Sequence, residues 1–166
     1  MTSVLSSMAR GVAASALGTL VFDAFLYGRY RREGGDVAFV DWESSKGVDS
    51  WDKAPAPALV GKKLIEFVSR RELSPRYVRS LNNLMHWGYG SSTGAGYALV
   101  AGSADKSKLW VGLPFGAAVW ASGYVVFPLL GVYEPIWKYD LKTLWRDLSG
   151  HLVFGAATAT AYKELP

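Results

Sequence analysis

From Leu109 to Val132 the chain carries no charged side chain. A hydrocarbon core about 30 Å thick is crossed by roughly 20 helical residues at 1.5 Å each, so this stretch is long enough to span one. Trp110, Trp120 and Tyr133 lie along or beside it, as residues that favour the membrane–water interface do. Pro114 and Pro128 fall near its ends, where a missing N–H is best tolerated. A soluble Ala/Gly-rich helical bundle would accommodate the other apolar segments, but this one argues against it.

Four segments have the length to cross a bilayer, approximately 4–28, 81–101, 109–131 and 143–162. All are rich in small residues, as in Gly11 to Gly18 and Gly88 to Gly96, which let helix backbones approach closely where burying Leu against Leu gains little. Apolar residues make up 50% of the chain, and the 18 basic and 14 acidic side chains crowd into 29–79 and 134–147. The expected fold is therefore an all-α membrane protein, one integral domain over 1–166, with four transmembrane helices. The first apolar run exceeds a signal-peptide core and ends on Arg29, Arg31 and Arg32, so it reads as a retained helix.

The chain has no cysteine, which excludes disulfides, thiolate nucleophiles and Cys-ligated metals. Its net charge of +4 does not read as a nucleic-acid footprint, because the basic residues flank apolar spans, where they set topology or meet anionic head groups. Of the Lys and Arg residues, 14 fall in or beside loops 29–80 and 132–142, and only Arg10, Lys106, Lys108 and Lys163 on the opposite side. That bias predicts that both of these loops are cytoplasmic.

Within the long loop 29–80, Leu59, Val60, Leu64, Ile65, Phe67 and Val68 recur near the helical period. Lys62, Lys63, Glu66, Arg70 and Arg71 take much of the other face, so 58–72 reads as an amphipathic helix of about four turns. It suits contact with anionic lipid or a protein, or packing over the bundle mouth. The Gly/Ala faces serve equally for a homo-oligomer or for packing inside the bundle.

A shift of 65 residues places Asn82, His86, Gly90, Thr93 and Tyr97 onto Asp147, His151, Gly155, Thr158 and Tyr162. Each set lies along one helical face, and the chain's two histidines coincide. The match predicts two repeated helix hairpins, the first carrying the long inserted loop.

Polar groups inside membrane helices are costly and raise a functional question. Asp23, Asn82, His86, Tyr124, Asp147 and His151 all fall toward the ends of helices that meet the two basic loops, forming a candidate intramembrane cluster. Its histidines are open to three roles: hydrogen-bonding glue, a proton relay tuned by Asp23 or Asp147, or axial ligands of a b-type haem. No metal-site spacing and no recognised catalytic motif is present, so neither an enzyme nor a resident cofactor is indicated by motif. The readings that follow are a proton-linked or small-solute membrane protein, a non-catalytic interaction or structural subunit, and a bis-His electron-transfer subunit.

Leu109-Trp110-Val111-Gly112, Phe127-Pro128-Leu129-Leu130-Gly131, Glu134-Pro135, Trp137 and Ser149-Gly150-His151-Leu152-Val153 together resemble the C-terminal half of the YagU-like bacterial inner-membrane proteins. His86 with Tyr97 is similar as well, and the likeness covers about the last 85 residues. It implies a multipass inner-membrane protein of a family without an established activity, and it supplies no catalytic residue to carry over.

Overall fold

A computed structural model describes residues 4–102 and 109–165; Lys106 and Lys108, counted above in the topology argument, lie outside the described residues. Those residues form helices and no strand: α1 (Val4–Arg32), α2 (Phe39–Glu43), α3 (Ala56–Ser69), α4 (Val78–Gly102), α5 (Leu109–Leu129) and α6 (Leu141–Glu164). Two of them, α1 and α5 from Trp110, are long and apolar enough to cross a membrane.

Glycine decides where the long helices cross. A Cβ on Gly94 would collide with the Gly11 carbonyl, and one on Gly155 with the Gly112 carbonyl. The α1–α4 and α5–α6 pairs therefore meet backbone to backbone. Interior helical glycine costs about 0.5–1 kcal/mol relative to alanine, and here the close approach it permits offsets that cost. Ser15 reinforces the first crossing by donating to the Gly90 carbonyl at 2.6 Å.

α1 packs against both α4 and α6, and α5 packs against α6, whereas α4 and α5 barely approach along their backbones. Larger side chains bridge that seam: Tyr97 meets Phe115 at 5.0 Å between ring centroids, and Tyr89 shares a hydrogen bond with Ser122 at 2.8 Å. At one end Tyr97 also stacks edge-on with Tyr162 at 5.4 Å, and Arg10 caps the last turn of α6 by donating to the Tyr162 carbonyl. At the loop end the seam stays open.

The long loop fills that opening. α3 starts with Pro57 in its first turn, where no N–H is needed, and ends on Arg70 in the left-handed conformation at φ 56°. Ala58, Val60 and Gly61 are buried, with Gly61 over Leu81 and Met85 of α4, while the Lys63 ammonium comes within 3.9 Å of the position a Cβ on Gly131 would take. α3 thus reaches from α4 toward the turn after α5. Its last turns do not pack: Phe67 is 70% and Val68 81% exposed. The helix therefore covers the bundle mouth with its first half and leaves an apolar face free with its second. Trp51 pins the loop by donating to the Leu73 carbonyl at 2.9 Å, and the residues around α2 are tied to α4 by Arg79–Ser44, Asn82–Ser45 and Trp87–Glu43 hydrogen bonds.

Element limits differ modestly from the sequence expectation. α1 continues to Arg32 because Arg29 donates to the Arg146 carbonyl and Ser149, while Arg146 pairs with Glu33, so the last turn is held against α6. α6 begins at Leu141 because Asp140 caps it, accepting from the Thr143 N–H at 2.8 Å.

Candidate functional site

Where α4 and α5 diverge, a cavity of about 540 Å³ opens among α1, α3, α4, α5, α6 and the α2 segment. Asp23 sits on the face of α1 turned toward α4 and is only 4% exposed. Both of its oxygens accept from His86, Nε2 lying 3.0 Å from Oδ1 and 3.1 Å from Oδ2. A carboxylate offers no hydrogen, so the neutral His86 ring carries its proton on Nε2 and leaves Nδ1 an acceptor.

The second histidine is arranged the other way round. His151 Nδ1 lies 3.1 Å from the backbone carbonyl of Asp147 and 3.5 Å from its Oδ1. A carbonyl accepts only, so the neutral His151 ring is protonated on Nδ1 and its Nε2 is left an acceptor. Phe22 stands between the two imidazoles, its centroid 6.3 Å from His86 and 5.1 Å from His151.

Of the six residues singled out in the sequence, Asp23, Asn82, His86, Asp147 and His151 line the cavity. Asn82 donates to Ser45 at 3.0 Å, which ties the loop to the rim. Tyr124 lies outside the lining and makes its link through Asp147, within an aromatic group that includes Trp120 at 5.1 Å and Tyr139 at 5.5 Å. Neighbouring Asn83 turns away, donating to the Arg79 and Ser44 carbonyls. Beyond α5, burial together with the Asp147 charge pushes the Tyr133 phenol up to about 12.

Several lining residues had no legible signal in the sequence. Trp42, Glu43 and Ser45 come from a five-residue helix and its exit, too short for any period to place. Phe22 was signalled only by adjacency to Asp23. Asp23 does not pair with Arg29, which is turned to α6 and stacks on Phe25 at 4.2 Å.

Chemically the site offers two imidazoles, each held by one nitrogen, with carboxylates beside them inside a largely apolar shell. Among the described residues no three His, Asp or Glu side chains stand close enough to hold a metal ion.

No curated protein and no solved structure matches the chain. A family model does match residues 70–160, more than half of the sequence, reaching from just before α4 through the first five turns of α6. On that match, this chain belongs to the family described as protein of unknown function (DUF1440).

Proposed function

We propose that the protein is a four-span inner-membrane protein of the YagU-like type, with loops 29–80 and 132–142 on the cytoplasmic side, whose His/Asp pocket handles protons or a small polar solute. The observation that carries the reading is the Asp23–His86 pair, a buried carboxylate bonded to a half-buried imidazole facing a cavity between helices. Ionisable groups at such depth are costly in lipid and are associated with proton and solute paths.

The distribution of side chains on α1, α4 and α5 supports membrane spans. Ser15, Thr19, Asp23, Asn82 and Thr158 are buried, while Leu17, Leu20, Leu84, Leu99, Val100, Val125 and Val126 face outward. Buried small polar groups combined with large apolar side chains on the outside suit a hydrocarbon solvent. α4 and α6 are less apolar than α5, and their inward faces carry Asn82, His86, Thr93, His151 and Thr158. The exposed Phe67 and Val68 beside Lys62, Lys63, Arg70 and Arg71 suit an interface rich in anionic head groups.

The hairpin repeat gives the cavity an origin. α1–α4 and α5–α6 cross alike at glycines, but the tight α1–α6 contact has no equal between α4 and α5. The inserted loop occupies that unequal seam.

Reconstituted vesicles containing a pH-sensitive dye test the proposal. Protein-dependent collapse of an imposed pH gradient is expected, and Asp23→Asn should slow it at least about tenfold, the effect of about 1.4 kcal/mol on a barrier. Collapse no faster than in protein-free vesicles would overturn the proton reading. It would favour a structural or interaction subunit, for which the free apolar end of α3 is the specific supporting feature.

A further inference from the structure

The cavity has a one-sided chemistry. Three carboxylates line it, Asp23 from α1, Glu43 from α2 and Asp147 from α6, and no Lys or Arg does, although the chain as a whole carries +4. An anionic solute would meet like charge there. With their rings neutral, the histidines add acceptors and no free donors, because the Nε2–H of His86 is given to Asp23 and the Nδ1–H of His151 to the Asp147 carbonyl. The Asn82 amide gives one of its N–H groups to Ser45.

Two further features narrow the class. Trp42, Phe127 and Tyr133 offer aromatic surface to the same space, and ring faces attract cations within about 6 Å. The carboxylates are spread around the wall, and among the described residues no three ligating side chains converge as a bare metal ion requires. Dispersed negative charge, spare acceptors and aromatic surface within about 540 Å³ complement a cation that carries N–H donors on an apolar body.

We propose that this cavity binds a primary organic ammonium ion, its head at the Asp147 carboxylate on the acidic wall and its body against the aromatic wall. The inference rests on the reading of the cavity as a solute-handling site and names the solute's class.

The test uses the full chain in lipid nanodiscs, with protein-free nanodiscs as the blank, and calorimetric titration with benzylammonium, benzyl alcohol and benzoate. Saturable benzylammonium binding is expected, with benzyl alcohol at least about tenfold weaker and benzoate not binding. Asp147→Asn, at a partly exposed position that leaves the Asp23–His86 pair intact, should weaken benzylammonium about tenfold. Equal binding of the alcohol, preference for benzoate, or no saturable ammonium binding would overturn the proposal. Histidine ¹⁵N spectra of the same samples separate the two failures. If His86 is bonded through Nε2 and no ammonium binds, only the ligand class is wrong; if that bond is missing, the pocket reading fails with it.

Discussion

Removing the Asp23 carboxylate should cost this protein more than deleting an ordinary interhelical hydrogen bond. Both oxygens of a carboxylate that is 4% exposed accept from one imidazole nitrogen, at 3.0 and 3.1 Å. Hydrogen bonds to charged groups contribute about 1.5–3 kcal/mol, whereas polar pairs between membrane helices average about 0.6 and reach about 1.7 kcal/mol in double-mutant cycles. The histidine side chain is 23% exposed toward the cavity, so water can partly replace the lost partner. These considerations put the Asp23–His86 coupling near the top of the membrane range, at about 1.5 kcal/mol. A cycle of Asp23→Ala, His86→Ala and the double variant, followed by reversible unfolding in mixed micelles, measures it. Asp23→Asn should lose less than Asp23→Ala, because its amide oxygen still accepts from Nε2. A coupling below about 0.3 kcal/mol, within the error of such cycles, would refute the argument that this pair is a strong link between α1 and α4.

Other expectations follow from the crossings, the loop and the topology. Gly94→Val and Gly155→Val should each destabilise by about 1–3 kcal/mol or prevent folding, while Gly96→Ala, with nothing near the added carbon, should stay within about 0.5 kcal/mol in the same unfolding assay. Glu66 accepts from the Leu73 N–H and from Lys62, and Asp140 from the Thr143 N–H, so both carboxyls are held below their ordinary 4.5 and 3.8. Their contributions are therefore present above those values and lost as pH falls through the lowered ones, and Glu66→Gln with Asp140→Asn should flatten the acid limb of a pH–stability curve. Because the chain has no cysteine, single cysteines at Lys46 and Lys138 report sidedness directly. Both should be labelled by a membrane-impermeant thiol reagent only when the cytoplasmic face is accessible, and opposite sidedness for the two would refute the topology.

The long helices were legible because apolar runs and small-residue stripes are local properties, and α1 and α5 stand out by length and apolarity alone. The shared level of Asp23, Asn82, His86, Asp147 and His151 was legible too, since rise per residue fixes depth once helix direction alternates. What the sequence did not contain was the divergence of α4 from α5. That depends on the glycines of two other crossings, and without it no cavity and no seat for α3 can be inferred. Nor did periodicity assign partners: Asp23 reaches across to His86, while Asp147 turns to His151 one turn along its own helix. Glu43 and Trp42 belong to a segment whose position is set by contacts with α4 rather than by any pattern of its own. The amphipathic pattern of 58–72 identified α3, but not that its apolar face divides between a packed first half and an exposed second half.

The most direct test of the pocket is the protonation pattern of its two histidines, read from ¹⁵N–¹H correlations of the full chain in lipid nanodiscs at a pH where both rings are neutral. The account predicts opposite tautomers, His86 carrying hydrogen on Nε2 and His151 on Nδ1, with Asp23→Asn perturbing the His86 signals and sparing those of His151. Identical, freely exchanging tautomers indifferent to Asp23 would contradict it, for the two rings would then be solvated side chains and the cavity would hold no organised polar site.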